Sequence, residues 1–217
     1  MKKKIALNEA IAKIEDGMTL MIGGFLGCGT PEAMIDALVE SGKKDLTIIC
    51  NDTSFVDRGI GKLIVSQQVK KVMTSHIGTN KETGRQMNEG LMEVDLVPQG
   101  TLAEQVRAGG AGLGGVLTPI GIGTPVEEGK TIIELNGEKF ILAEGLKADV
   151  ALIFGSIVDE KGNVYYNKTT RNFNPLMATA AEVVICEAEK IVKTGEIDPH
   201  QVMTPGIFVN YVVEGVN

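Results

Sequence analysis

A glycine-rich segment near the start of the chain carries the clearest chemical signal in the sequence. Residues 21–32 read Met-Ile-Gly-Gly-Phe-Leu-Gly-Cys-Gly-Thr-Pro-Glu, with four glycines in the seven positions 23–29. Glycine reaches positive φ and lets a bulky group approach backbone N–H donors. Thr30 is predicted to be the N-cap and Pro31 the first residue of the helix that follows, so free N–H groups should point back at the loop. This pattern suits an anion, most often a phosphate, or negative charge that develops during a reaction.

The glycine segment also fits a purely structural role. It lacks the third glycine of a G-x-G-x-x-G dinucleotide fingerprint and the Lys-Ser/Thr pair of a P-loop. The glycines would then only make a tight turn from strand to helix. Cys28 has two readings as well, because a cysteine in such a loop is usually a small packed residue and less often a nucleophile.

Gln99 is the second residue that could take part in chemistry. It follows Pro98 at the end of a predicted strand, where its amide could donate to a carbonyl oxygen or merely satisfy loop backbone. His76 is either a base or a structural group. The sequence contains no H-E-x-x-H motif and no G-x-S-x-G elbow, so neither a metal site nor a serine nucleophile is predicted. The sequence therefore predicts hydrogen-bond donors and a glycine loop that could bind an anion, but no evident nucleophile.

Alternating apolar runs and helical patterns predict the elements that must position these residues. Strands are predicted at 18–22, 46–50, 69–75, 93–98, 150–155, 183–186 and 207–213, helices at 8–16, 31–40, 102–107 and 175–181, and hairpin strands at 131–135 and 138–142 around Asn136-Gly137. Short links between strand, helix and strand predict an α/β fold with a mostly parallel sheet and right-handed crossovers. Asn-Gly is the strongest short signal for a type I′ turn, which predicts a small antiparallel elaboration. Residues 1–217 are predicted to form one domain.

Polar or glycine-rich clusters follow five of the apolar runs. These clusters lie at 23–29, 51–54, 75–80, 99–101 and 169–174. Ligands of α/β proteins gather at the carboxyl ends of the strands, so a shared site is predicted there. Turns use the same residue types, and any single cluster also fits a plain turn.

Composition narrows the classes of partner. The formal charge is −7, from 21 basic and 28 acidic residues, and the chain has no Trp and only 4% aromatic residues. Nucleic acid and anionic membranes are therefore poor partners.

Cys28, Cys50 and Cys186 lie far apart with no C-x-x-C spacing, which favours a reducing compartment. No signal peptide is evident and no apolar stretch approaches the roughly 20 residues of a membrane span, so a cytoplasmic location is predicted.

Six ordered motifs resemble the α subunit of the family I coenzyme A transferases. They are GGFLGCGTPE (23–32), NDTSFVDRGIGKL (51–63), SHIGTN (75–80), VPQGTLAEQVRAGGAGLGG (97–115), TPIGIGT (118–124) and TTRNFNP (169–175). The similarity runs from about residue 3 to 213 and points to the bacterial acetate and butyrate–acetoacetate CoA-transferases. The resemblance implies a three-layer, open, mostly parallel sheet of the CoA-transferase/NagB-RpiA-like type.

The resemblance also implies a reaction and a partner. The reaction is ping-pong transfer of CoA from acetyl-, butyryl- or acetoacetyl-CoA to free acetate, butyrate or acetoacetate, with no cofactor beyond the CoA thioester substrate. In this family a glutamate within a Glu-Asn-Gly motif of the β subunit forms an anhydride and then a glutamyl-CoA thioester. The nearest string here, Glu134-Leu-Asn-Gly137, is predicted to be a hairpin turn, so no catalytic glutamate is assigned. A β subunit is expected as the partner, in an α2β2 heterotetramer.

Two residue roles follow from the resemblance. The loop matches the segment assigned to CoA binding, which comprises Gly23, Gly24, Phe25, Leu26, Gly27, Cys28 and Gly29. Gln99 matches the glutamine whose amide stabilises the oxyanion formed at the thioester carbonyl. Residues 109–115 either cover the cleft or allow close backbone packing at the subunit interface. The alternative on a related fold is a sugar-phosphate isomerase or an effector-binding regulatory domain, and a nucleotide-binding regulatory subunit would also explain the missing nucleophile.

Overall fold

Strands and helices alternate through most of the computed structural model, which describes residues 3–215. The helices are α1 Leu7–Ile11, α2 Glu32–Ser41, α3 Ile60–Val65, α4 Lys81–Asn88, α5 Gln99–Gly110 and α6 Asn174–Met177. The strands are β1 Thr19–Ile22, β2 Leu46–Ile49, β3 Val69–Thr74, β4 Glu93–Leu96, β5 Gly115–Thr118, β6 Ile132–Leu135, β7 Glu138–Glu144, β8 Ala148–Asp159, β9 Val164–Tyr165, β10 Ala181–Val192 and β11 Tyr211–Glu214.

Seven strands form the backbone of one large sheet in the order β11-β10-β8-β1-β2-β3-β4, and all of these neighbours are parallel. The short β9 pairs antiparallel with β8, which makes the sheet mixed. From β1 the chain builds outward through β2, β3 and β4, whereas β8, β10 and β11 extend the opposite side. The boundary between β1 and β8 is therefore a topological switch point, where ligands of open α/β sheets bind.

Two hydrophobic clusters lie on opposite faces of this sheet. Alternate residues of β1 point to opposite faces, as the period of a strand requires: Leu20 belongs to one cluster and Met21 to the other. The first cluster packs against α1, α2 and α3, and the second packs against α5 and α6. The predicted three-layer α/β architecture is confirmed. The predicted single domain of residues 1–217 extends beyond the described residues at both ends and stays a prediction.

The second, smaller sheet contains the predicted hairpin. Its order is β5-β7-β6, and both pairs are antiparallel. Asn136 and Gly137 connect β6 to β7 with φ of 54° and 81°, the two positive values of a type I′ turn. The Asn-Gly prediction is confirmed, and β5 is a third strand of this sheet that was not predicted.

Several element ends differ from the sequence-based expectations. The first helix ends at Ile11 rather than at residue 16, and the helix predicted at 102–107 extends from Gln99 to Gly110. The last strand begins at Tyr211 because Gly206–Phe208 form a 3₁₀ turn after Pro205. Helices α3 and α4 were not predicted. Element ends depend on capping and tertiary contacts, which local patterns specify weakly.

Candidate active site at the carboxyl ends of the strands

The glycine loop that follows β1 contains a tight hairpin. Phe25 and Cys28 exchange two backbone hydrogen bonds, with N···O distances of 3.0 and 2.9 Å. Leu26 and Gly27 between them have φ of 49° and 82°, so both central residues of the turn lie in the left-handed region. Gly27 adopts this conformation at no steric cost, whereas Leu26 does not. Contacts with the rest of the chain must therefore hold the turn in place.

A polar segment after β9 packs against this loop. Asn172 accepts a hydrogen bond from the N–H of Gly24 at 3.1 Å and donates to the carbonyl of Cys28 at 2.9 Å. A Cβ added to Gly23 would overlap the Asn174 side chain, and one added to Gly24 would overlap Thr30 Oγ1. These glycines are needed for packing within the chain, so the structural reading of the glycine segment is correct for part of it.

The N-terminus of α2 is occupied by a carboxylate of the chain itself. The N–H groups of Ala33 and Met34 donate to Glu187 at 3.3 and 2.8 Å, and Glu187 is only 5% exposed. The prediction that these N–H groups are free and point back at the loop is therefore wrong. The assigned cap is Pro31, without a side-chain hydrogen bond, so the prediction of Thr30 as N-cap is also wrong. Thr30 is buried against Gly24 instead.

Gln99 lies at the same edge of the sheet, as the first residue of α5. Its exposed side chain donates through Nε2 to Oδ1 of Asn51, which follows β2, at 2.7 Å. The partner is a side chain and not loop backbone. Within residues 3–215 the Gln99 side chain makes this one hydrogen bond. The second N–H of its Nε2 is therefore free.

A short chain of hydrogen bonds connects Gln99 to the glycine loop. Asn51 Nδ2 donates to Asp52 Oδ2 at 2.7 Å, and the N–H of Leu26 donates to the same oxygen at 3.0 Å. Asp52 thereby holds Leu26 in its positive-φ conformation. Residues 51–54 were predicted to lie at this edge, but no role was predicted for any of them. Only their contacts with residues far away in the sequence reveal one.

The three cysteines and His76 do not form a nucleophile–base pair in the structure. Cys28 is exposed, and its Sγ lies 3.3 Å from the hydroxyl of Thr169, which is not a base. Cys50 and Cys186 are buried, and burial raises the pKa of the Cys50 thiol to about 12. His76 is exposed beside Gly78, and its backbone pairs with that of Asp52.

Two further expectations concern metals and membranes. Within residues 3–215 no three His, Cys, Asp or Glu side chains are grouped so that they could hold a metal ion. In the same part of the chain no helix is both long enough and apolar enough to cross a bilayer.

The family model of coenzyme A transferases matches residues 4–215, almost the whole chain. The chain belongs to the coenzyme A transferase family. It is 53% identical over 214 residues to the acetate CoA-transferase subunit alpha of Escherichia coli K12, covering 98% of this chain and 97% of the relative. It is 56% identical over 200 residues to the acetoacetyl-CoA:acetate/butyrate CoA transferase alpha subunit of Clostridium acetobutylicum, covering 92% of each.

A solved structure shares the fold of this CoA-transferase chain. The acyl-CoA transferase YdiF of E. coli O157:H7, in a thioester complex with CoA, superimposes with a TM-score of 0.87 at 23% identity. The match covers 98% of this chain and 47% of YdiF, so the chain spans about half of that protein's length. At this identity the likeness concerns the fold alone.

Two glycines of the second glycine-rich stretch pack within this CoA-transferase chain. A Cβ on Gly109 would overlap the backbone of Leu146, and one on Gly110 would overlap the Thr179 side chain. Both glycines end α5, about 15 Å along the helix from Gln99 at 1.5 Å per residue. Of the two readings given for this stretch, close packing describes these positions, although the packing is within the chain.

Proposed function

We propose that this chain is the α subunit of a CoA-transferase that moves CoA between a short acyl-CoA and a free short-chain carboxylate. The observation that carries the proposal is that the site formed by residues 3–215 contains a hydrogen-bond donor, Gln99, and no carboxylate that is free to act as a nucleophile. Gln99 has a free N–H beside the glycine loop, while Asp52, the carboxylate that joins the two, is 4% exposed and already accepts three hydrogen bonds. A glutamate of a β subunit would complete such a half-site.

The reaction would proceed by acyl transfer to that glutamate. A carboxylate oxygen of the glutamate attacks the thioester carbonyl carbon, forming a C–O bond and an oxyanion, and the C–S bond then breaks to release CoA thiolate. The thiolate attacks the glutamyl carbonyl of the resulting anhydride and expels the first carboxylate. The second carboxylic acid reverses these steps on the glutamyl-CoA thioester. Each oxyanion is stabilised by donors already oriented in the site, and Gln99 Nε2–H is the donor this chain supplies.

The glycine loop, residues 23–29, would bind CoA beside Gln99. Its outward residue is Phe25, which is 43% exposed although it is large and apolar. Arg58 lies against Gly27, since a Cβ there would be 2.9 Å from Arg58 Cδ. An apolar surface next to a positive charge suits the pantetheine arm and the phosphates of CoA. Because the N-terminus of α2 is occupied by Glu187, phosphate binding would rely on side chains such as Arg58.

The names of the relatives support acetoacetyl-CoA as a donor and acetate and butyrate as acceptors. We infer acetyl- and butyryl-CoA as further donors, with acetoacetate as acceptor, because the transfer is reversible. We infer an α2β2 assembly from the family resemblance, and a cytoplasmic location from the widely spaced cysteines and the lack of an evident signal peptide. The alternatives of a sugar-phosphate isomerase and of a regulatory domain lose their support once the chain belongs to the CoA transferase family.

The decisive experiment compares the chain alone with the assembled enzyme. Acetoacetyl-CoA and acetate are supplied, and formation of acetyl-CoA is followed by chromatography. We expect exchange when the chain is co-expressed with a β subunit that carries Glu-Asn-Gly, and none with the chain by itself. CoA exchange by a preparation without the β subunit would overturn the assignment of the nucleophile to that subunit. Absence of exchange by the complex would overturn the proposed activity.

A further inference from the structure

Asp52 is the only residue at this edge whose carboxylate connects the glycine loop to Gln99 among the hydrogen bonds of residues 3–215. Its Oδ2 accepts from the N–H of Leu26 at 3.0 Å and from Asn51 Nδ2 at 2.7 Å, and its Oδ1 accepts from the N–H of Ser54 at 2.8 Å. The side chain is nearly inaccessible to solvent. A buried carboxylate with three donors is fixed in orientation.

The backbone N–H groups of Leu26 and Ser54 determine the polarity of the series of hydrogen bonds from Asp52 to Gln99, that is, which group donates and which accepts at each step. A backbone N–H can only donate, so both oxygens of Asp52 act as acceptors. Asn51 must then turn its NH₂ group toward Asp52 and its Oδ1 toward Gln99. Because Oδ1 can only accept, Gln99 must present Nε2, as it does at 2.7 Å. Rotating either amide by 180° would place two oxygens, or two NH₂ groups, against each other.

We propose that Asp52, acting through Asn51, is a positioning residue that determines which end of the Gln99 amide faces the thioester oxygen. The proposal rests on the proposed role of Gln99 as oxyanion donor. Nε2 carries two hydrogens, one of which is bound to Asn51, so the second is held ready for the oxyanion. With reversed polarity Gln99 would present Oε1 near developing negative charge, which would oppose the reaction.

The same carboxylate also fixes the glycine loop, which makes the two roles separable by mutation. Leu26 depends on Asp52 directly, whereas Gln99 depends on it only through Asn51. A change at Asn51 should therefore lower kcat with little effect on KM for the acyl-CoA. A change at Asp52 should lower kcat and also raise that KM.

The main test is Asn51→Asp in the assembled two-subunit enzyme. The substitution keeps the shape and replaces the donor NH₂ with an oxygen, so two carboxylates face each other and one pKa of the pair is raised. When the new carboxyl is protonated, its O–H donates to Asp52 and its C=O accepts from Gln99, which restores the original polarity. We expect kcat to fall about 10- to 100-fold near pH 8, at most the loss from removing the donor itself. This deficit should shrink as the pH is lowered toward about 6, where the shared proton returns.

Other ionisable groups around residue 51 are the same in the wild-type enzyme and in the Asn51→Asp variant. They are the buried Cys50 thiol, whose pKa is raised by burial and by Asp52, His76, paired through its backbone with Asp52, and Arg58 beside the glycine loop. The relevant quantity is therefore the ratio of variant to wild-type kcat at each pH. Asn8→Asp, which adds the same charge at an exposed position of α1, is the matched control and should leave this ratio at one.

A double-mutant cycle separates positioning from general structural damage. If Asn51 acts through Gln99, the double variant Asn51→Asp/Gln99→Ala should be no slower than Gln99→Ala alone. Additive losses would overturn the proposal. Asp52→Asn is the second variant, and its assembly is checked by size-exclusion chromatography. If it does not assemble, the Asn51 cycle decides.

The outcomes distinguish failure of this proposal from failure of the proposed function. Absence of CoA exchange by the wild-type complex would overturn the function, and the positioning role with it. Wild-type turnover of Gln99→Ala would overturn the role of Gln99. A slow Gln99→Ala together with an Asn51→Asp enzyme that keeps wild-type kcat at every pH would overturn the positioning role alone.

Discussion

The side-chain amide of Gln99 combines two properties that an oxyanion donor requires. One N–H is fixed by Asn51 at 2.7 Å, and the side chain is exposed at the first position of α5. Fixing a donor before the reaction is what makes it effective, because no reorganisation is needed when the charge develops.

Replacing Gln99 with Ala should lower kcat about 10²- to 10³-fold in the assembled enzyme, the usual loss when one oxyanion donor is removed. Assembly with the β subunit should change little, because the substitution removes one side-chain amide whose hydrogen bond is to Asn51 within this chain, and size-exclusion chromatography checks it. Gln105→Ala, the same change six residues later in α5, is the matched control and should keep its turnover. Steady-state kinetics of CoA exchange provide the measurement, and near-wild-type kcat for Gln99→Ala would contradict the role.

Glu187 is a single residue that makes the stability of the fold depend on pH. Burial raises the pKa of this carboxyl, although the N–H groups of Met34 and Ala33 oppose the shift. The folded chain therefore favours the protonated form more than the unfolded chain does. Its contribution to stability is complete below the unfolded-state pKa and is lost as the pH rises through the folded-state pKa.

We expect Glu187→Gln to gain stability relative to wild type as the pH is raised from about 4 to 8, since glutamine does not ionise and its Oε1 can still accept from Met34. Denaturant unfolding at a series of pH values gives the difference in free energy of unfolding. Glu40→Gln, the same change at an exposed position of α2, is the matched control. A difference that is constant, or that favours the wild type more at high pH, would contradict the assignment.

Among the elements, the glycine loop is shaped by the segment that packs on it. Asn172 contacts the loop at Gly24 and Cys28, while Asn174 fills the space beside Gly23 and donates to Gly29 at 2.9 Å. The conformation of the loop is therefore a property of two segments held side by side at the switch point between β1 and β8.

Gly23→Ala should destabilise the protein by about 1–3 kcal/mol, the usual cost of overpacking a filled site, because the new Cβ would overlap the Asn174 side chain. It should also weaken acyl-CoA binding. Gly84→Ala is the matched control, since it lies within α4 with open space around it and should gain about 0.5–1 kcal/mol. Thermal unfolding of both variants checks the opposite signs, and equal effects would contradict the packing argument.

For the whole molecule, the important property is that the described part of the chain holds the Gln99 amide and the glycine loop at one edge, where Cys28 has no base beside it. The covalent intermediate should therefore form on the partner. A glutamyl-CoA thioester adds the mass of CoA less one water to the chain that carries the glutamate.

Mixing the assembled enzyme with acetoacetyl-CoA, in the absence of an acceptor acid, should increase the mass of the β subunit by that amount and leave this chain unchanged. Mass spectrometry of the two chains, separated under mildly acidic conditions, is the measurement. A CoA adduct on this chain would contradict the proposed mechanism.

Local chemistry could be predicted from the sequence where it depends on neighbouring residues. The Asn136-Gly137 turn is an example, because its two positive φ values depend on those two residues themselves. The buried strands and the positions of the glycine loop and Gln99 at the strand ends followed from apolar periodicity in the same way. The ends of helices were less well predicted, since α5 begins at Gln99 and not at residue 102.

The sequence by itself therefore determined the fold class, the family resemblance and two of the segments that form the site. Only the tertiary structure decided how they are connected, because the partners come from strands whose order depends on burial over the whole sheet. Glu187 reaches the start of α2 from 153 residues away, and Asn51 reaches Gln99 across 48. No local pattern encodes such pairs, so the occupied helix terminus and the hydrogen bonds from Asp52 to Gln99 could be seen only in the folded chain.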